Sequence, residues 1–417
     1  MKILWTANTF SPEVSKIINI KSKHSISWVD AMSERIKEKE DIHLSIACPY
    51  EGTTILEKEY DGITYIAVPI RDAMANWCDV IVKYQPDIIH AYGTEQQHNA
   101  YVLEHSKNIP VLISLQGLLS EYERHYYAGI DFSTMIRYTP LRDIIRPTGF
   151  FTGRKDFIKR SKNENSLLKR ARYVEGRSTW DKVSAYNINP NLKYYYCPRM
   201  LRKQFYTDKP WNVSEIERYT ILVTQGNYPI KGIHILFRAV AKLKEKYKDI
   251  KIKVTGTDVF ARINNNKRYL SNGYERYLFD LAKKLDIINH IEFVGYKKAS
   301  EMVELLKKIH LAVIPSAIEN APNSLAEAMI VGTPVIATFV GGNMDMLTHN
   351  ENGFLYAFDE WNMLSYYIDQ LFSSDELCNA FSKKARDNAL KRHNPEELVE
   401  NLYNIYCEVI QYNNENV

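Results

Sequence analysis

The chain has 417 residues, 45 % hydrophobic and 25 % charged, an ordinary globular composition with room for about two to three domains. A net charge of +4 argues against nucleic acid as the main partner, and five scattered cysteines without a C-x-x-C pair indicate neither a disulfide framework nor a zinc site. No apolar run approaches the roughly 18 to 20 residues needed to cross a bilayer, and the start MKILWTANTFSP has no basic region followed by a long apolar stretch, so a cytoplasmic location is expected.

Short apolar runs alternating with amphipathic stretches predict βα units and parallel sheets. Strands are expected over residues 2–5, 43–47, 65–68, 87–90, 111–115, 173–175 and 194–196, with helices between most of them. The loop after the fourth carries His90, Gly93, Glu95 and His98, and the loop after the fifth carries Gln116 and Gly117. A histidine at a strand end is suited to orienting a sugar hydroxyl or moving a proton, or it is simply satisfied in the packing; His98 is the candidate. RHYYAG (124–129) and EGRSTWD (175–181) offer aromatic faces that suit sugars and equally suit a core. Residues 153–172, GRKDFIKRSKNENSLLKRAR, hold eight Lys or Arg against two acids. This is either a solvated helix face or a contact for an anionic membrane surface or phosphorylated acceptor.

The polar stretch 206–219 reads as a linker, with a boundary near 212. The expected domains are 1–211 and 212–394, with a last helix over 395–417 packing back on the first domain. Strands of the second series fall at 220–224, 252–255, 291–294, 311–314, 334–337 and 353–355, followed by helices over 361–372, 375–390 and 395–412. After the first of these strands come Gln225, Gly226, Asn227 and then Lys231-Gly232 at a helix start. A lysine is poorly placed for the helix dipole unless an anion sits there. Gly256 and Gly295 end the next two strands and permit close approach of a ligand such as a nucleobase. In IPSAIENAPNSLAE (314–327) two carboxylates, Glu319 and Glu327, flank a strand-to-helix turn opened by Pro322, Asn323 and Ser324. Ser324 and Glu327 also fit a capping box, whereas Glu319 has no capping task and is free to face a ligand. Gly341-Gly342 marks a further turn at the same end of the sheet. There is no phosphate loop of the GxxxxGK[ST] kind, no GxGxxG after a strand, no GxSxG and no HExxH.

The segment EN-APNSLAEAMIVGTPVIAT-GG, 319–342, with the K-G helix start before it, resembles the donor-site signature of retaining family 4 glycosyltransferases. DIIHAYGTEQQH, ISLQGLLSEYERHYYAG and GRSTWDKVSAYNINPNLKYYYC are similar to segments of bacterial enzymes that build capsular or exopolysaccharide. The resemblance implies an α/β chain of GT-B architecture, two doubly wound Rossmann-like domains facing a central cleft. It implies a metal-independent, nucleotide-sugar-dependent hexosyltransferase of polysaccharide biosynthesis, cytoplasmic or peripheral at the inner membrane face, with no tightly bound cofactor. The donor would be a UDP- or GDP-sugar and the acceptor a glycan or lipid-linked molecule. By position, Glu319 would meet the donor sugar and Glu327 the ribose. Lys231, with the amides of Asn323, Ser324 and Leu325, would hold the diphosphate, and Gly256 would border the nucleotide.

The chain departs from the family pattern in three places. Asn227 stands where an arginine is common, so one diphosphate contact is either missing or supplied elsewhere, by Arg199 or Arg202. Gln116 stands where the first-domain histidine is common; it can hydrogen-bond a sugar hydroxyl but not exchange a proton, which fits weak activity, a different donor or a substitute role for His98. Residues 8–15 and 21–25 replace a glycine-rich acceptor loop. A nucleotide-sugar epimerase on the same architecture, or a noncatalytic nucleotide-sugar or glycan-binding protein, are the alternatives; Asn227 and Gln116 motivate the last.

Overall fold

The computed structural model describes residues 1–20, 27–144 and 149–415, so the expectation for 21–25 lies outside the described residues. The chain divides into two compact units. Unit 1 comprises Met1–Ser120, Arg160–Arg202 and His393–Val417; unit 2 comprises Glu121–Lys159 and Lys203–Arg392.

Unit 1 is built on an eight-stranded sheet: β1 (Lys2–Thr6), β2 (His43–Tyr50), β3 (Leu56–Tyr60), β4 (Ile63–Pro69), β5 (Ile88–Tyr92), β6 (Val111–Ser114), β7 (Tyr173–Gly176) and β8 (Lys193–Tyr196). Their spatial order is β3-β4-β2-β1-β5-β6-β7-β8. Strands β1, β5 and β6 are buried almost throughout because helices cover both faces, which makes them continuous apolar runs rather than alternating ones. The sequence reading has no counterpart of β3. Its LEKEY is too polar to register as an apolar run, yet it pairs antiparallel with β4 as a mostly exposed edge. The hairpin turns at Asp61-Gly62, whose φ values of 52° and 74° suit a two-residue turn of primed type. The helix Pro395–Glu415 also lies in this unit. Leu398, Leu402, Ile405 and Val409 sit on one stripe of it within the core, and Tyr406 accepts a hydrogen bond from Trp5 Nε1 at 2.9 Å.

Unit 2 carries six parallel strands: β9 (Glu217–Thr224), β10 (Lys251–Thr255), β11 (Ile291–Gly295), β12 (Ile309–Ile314), β13 (Val335–Thr338) and β14 (Phe354–Tyr356). Their order, β11-β10-β9-β12-β13-β14, is the doubly wound 3-2-1-4-5-6 arrangement, whose direction reverses between β9 and β12. The stretch expected as a linker is partly ordered structure: Trp211 is buried, its Nε1 donates to Ile309 O at 2.8 Å, and β9 begins at Glu217.

Residues 121–159, expected within the first domain, pack in unit 2. Ile130, Met135 and Phe150 join its core; the buried Asp143 carboxylate accepts from Gly273 N at 2.8 Å, and the His234 ring meets Ala128 O at 2.9 Å.

Candidate functional site

In open α/β sheets ligands bind beyond the carboxyl ends of the strands where the winding reverses. In unit 2 those ends belong to β9 and β12, and the residues that follow them converge. After β9 the chain makes a short turn, Pro229–Lys231, closed by Gly232, before the helix Ile233–Leu243. After β12 comes the loop from Pro315 to Pro322, leading into the helix Asn323–Val331. Lys231 Nζ donates to Glu319 Oε1 at 2.6 Å, and Ser316 Oγ donates to the same oxygen at 2.8 Å. Glu319 is buried, and Lys231 keeps one side open. Burial works against the lysine's charge, but the adjacent carboxylate more than offsets it and holds the ammonium pKa above its ordinary value.

The loop is fixed from several sides. Ala317 N donates to Ile230 O at 2.7 Å, Thr338 Oγ1 to Ser316 O at 2.7 Å, and Gly342 N to Glu319 O at 3.1 Å. Two glycines make this close approach possible. Gly232, at φ 67°, would place a Cβ 1.8 Å from Pro315 O, and Gly341, at φ 50°, would place one 1.8 Å from Glu319 O. The side chains that could sit there would have to displace backbone.

The helix Asn323–Val331 starts without a side-chain cap. Its N-cap is Pro322, so the capping-box reading of Ser324 and Glu327 is overturned: Ser324 lies inside the first turn instead of before it. The Leu325 amide donates to Pro322 O at 3.1 Å, which removes it from the expected anion-binding set. The amides of Asn323 and Ser324 precede any intrahelical acceptor and remain open to an anion. Ser324 and Glu327 line a small recess with Leu222 and Thr224 of β9 and Ile314 of β12. Asn227 is exposed in the loop after β9. Gly256, at φ 92°, ends β10 with open space where a Cβ would point, and Thr257 Oγ1 lies 2.9 Å from the hydroxyl of the exposed Tyr296.

One contributor escaped the sequence reading. Tyr122 opens the 121–159 segment, and its hydroxyl accepts from Asn320 N at 3.0 Å, next to Glu319. It adds to the field that raises the Lys231 pKa. Nothing in the spacing of LSEYER marks this tyrosine, since the contact spans 198 residues.

The other candidates lie in unit 1. His98 is buried in the first turn of the helix Gln97–His105 and stacks on Trp77 with ring centroids 5.0 Å apart. Burial lowers its pKa to about 4, so it is a neutral packing group near pH 7. Gln116 follows β6; its carbonyl accepts from Arg177 Nη2, and its Nε2 is buried without a hydrogen-bond partner among the described residues. Arg199 is buried, with Nη2 donating to Ser114 Oγ at 3.2 Å, and Arg202 is half-buried in the same unit.

Comparison with known proteins agrees with this geometry. The structure is similar to sucrose-phosphate synthase from Thermosynechococcus elongatus, with a TM-score of 0.71 at 14 % identity over 99 % of this chain and 100 % of that one. It is likewise similar to HepE of Anabaena in complex with UDP and glucose, at TM-score 0.68 and 16 % identity over 98 % and 100 % of the two chains. The chain therefore has the GT-B fold. Residues 207–388 match the family model of glycosyl transferases group 1. A putative glycosyltransferase of Bacillus subtilis, YtcC, is 25 % identical over 337 residues, 78 % of this chain and 74 % of its own. Other relatives match over about half their length: the N-acetyl-alpha-D-glucosaminyl L-malate synthase of Bacillus anthracis is 26 % identical over 49 % of each chain, and a glycosyltransferase of Methanocaldococcus jannaschii 25 % identical over 46 % of each.

Proposed function

We propose that this chain is a glycosyltransferase that takes a sugar from a nucleoside diphosphate donor bound at the β9–β12 reversal of unit 2. The observation that carries the reading is the Lys231–Glu319 pair beside the uncapped helix start at Asn323 and Ser324. An ammonium and two open amides together suit a diphosphate, and they suit it best as it departs with added charge. Glu319, oriented by Lys231 and Ser316, is the acceptor for the donor sugar's hydroxyls, and Glu327 in the neighbouring recess is assigned to the ribose. Because Lys231 and the amides neutralise the leaving group, activity is expected to persist in EDTA. The complex of HepE with UDP supports a UDP-sugar as donor. We assign the acceptor, a glycan or lipid-linked hydroxyl of bacterial surface polysaccharide, to unit 1, with the Gln116 carboxamide as one of its contacts. Replacement on the leaving-group face, with retention of anomeric configuration, completes the reading.

The test is a thermal-shift screen of the full chain against UDP, GDP, ADP and their sugar conjugates, since a ligand that binds only the folded state raises the melting temperature. A selective shift that is lost in Lys231→Met supports the assignment. A shift that survives in Lys231→Met overturns the site, and no shift with any nucleotide overturns the donor class. Product analysis separates transfer from epimerisation, which would convert the donor with no acceptor present.

A further inference from the structure

The 121–159 segment presents an outer side that is unusually apolar. The helix Phe132–Tyr138 buries Met135 and leaves Phe132 64 % and Ile136 56 % exposed, four residues apart on one face. Phe151, 37 % exposed at the start of the helix Phe150–Arg170, meets the Phe132 ring edge to face at 5.9 Å. Single exposed apolar residues are ordinary, but a contiguous aromatic and aliphatic cluster marks a contact surface.

Charge defines what that surface contacts. One turn beyond Phe151 along the same helix stands Lys155, then Lys159; both are exposed, and neither has an ion-pair partner among the described residues. The spacing continues through Lys162, Ser166, Lys169 and Arg170, all exposed. At 3.6 residues per turn these positions fall within an arc of about 100° that contains no carboxylate. Glu164 lies on another side of the helix, buried against Thr94 and Ser120. The acid beside the apolar cluster, Asp131, is engaged as the cap of Phe132–Tyr138 through Thr134 N at 2.8 Å. Arg154 is turned away from the stripe, donating to Glu123 O and lying over the Tyr127 ring.

We propose that this face docks on an anionic lipid bilayer. Phe132, Ile136 and Phe151 enter the boundary between headgroups and acyl chains, while Lys155 and Lys159 meet lipid phosphates. Apolar residues flanked by unpaired lysines are the arrangement that interfacial binding requires. A second copy of the chain is a poorer occupant, because a two-fold contact through this patch would bring lysines against lysines. The proposal stands on this surface and does not depend on the donor-site reading.

The experiment is co-sedimentation of the full-length protein with phosphatidylcholine vesicles, with and without phosphatidylglycerol, at low and high salt. The variants are Lys155→Gln/Lys159→Gln and Phe132→Ser/Ile136→Ser, each checked for an unchanged melting temperature and for its response to nucleotide. Binding to phosphatidylglycerol vesicles that weakens with salt, and that is about tenfold weaker in the lysine pair, supports the proposal. A comparable loss in the apolar pair supports it as well. Equal binding to neutral vesicles, or binding unaffected by both pairs of substitutions, overturns it. So does a dimer, detected by light scattering without lipid, that the Phe132→Ser/Ile136→Ser pair dissociates. Because all these side chains are exposed, the variants are expected to fold, and an unchanged nucleotide response keeps the result separate from the donor site.

Discussion

At the scale of single residues, the Lys231–Glu319 pair makes the sharpest claims. Removing the ammonium alone leaves a buried carboxylate with one hydroxyl partner, so Lys231→Met should cost about 2–3 kcal/mol of stability. The double variant Lys231→Met/Glu319→Gln should recover much of that, measured by denaturant unfolding. Neither should recover activity: with the leaving-group charge unopposed, kcat/KM should fall about 10²-fold or more. If the double variant regained both stability and turnover, the pair would be structural only. Tyr122→Phe removes the acceptor at Asn320 N and should raise KM for the donor several-fold, with a smaller change in kcat. His98→Phe keeps the stack on Trp77 and should leave transfer activity near wild type; a large loss would restore a proton-transfer role. Lys231 and Glu319 were legible in the sequence because each is anomalous in its local context, a cation at a helix start and an acid with no cap to make. Tyr122 was not, because its importance arises only when distant segments meet.

At the scale of elements, the strands could be read because helices bury both their faces, leaving runs of Ile, Val, Leu and Ala that no loop would carry. The edge strand β3 was missed for the opposite reason: an exposed edge is stable with charged residues and is protected from aggregation by them. Its signal lay in the Asp61-Gly62 turn. The start of Asn323–Val331 shows how a motif misleads, since S-x-x-E caps a helix only when the serine precedes the first turn, and Pro322 takes that place here. The two glycines that admit the Glu319 loop yield a direct prediction. Gly232→Ala or Gly341→Ala adds the strain of a positive φ, about 1–2 kcal/mol, to an impossible contact with a carbonyl oxygen. Both should lower the melting temperature by several degrees and abolish nucleotide-induced stabilisation. Gly256→Ala, strained in backbone but meeting no atom, should cost only the first part.

For the whole molecule, buried histidines contribute to the response to acid. His98, His234 and His310 each have a pKa lowered by burial from 6.5 to about 4, with Arg238 and Arg218 adding to the effect at the latter two. Between those values the unfolded chain binds protons that the folded chain refuses, so stability falls as pH drops from 6.5 towards 4 and is insensitive to these groups above 6.5. Calorimetry across that range should show the melting temperature falling, and His98→Phe should flatten the slope. The division into units has a consequence for how the protein comes into being. Unit 1 is completed only by its last helix, Pro395–Glu415, and unit 2 needs residues 121–159, which emerge long before Lys203–Arg392. During synthesis the early strands therefore wait for Pro395–Glu415, while Ile130, Met135 and Phe150 wait for the core they will enter. A released fragment 1–211 would expose apolar surface that belongs to parts not yet made. The chain is thus expected to gain protease resistance in a single late step, once Pro395–Glu415 has been made, and its isolated halves to aggregate.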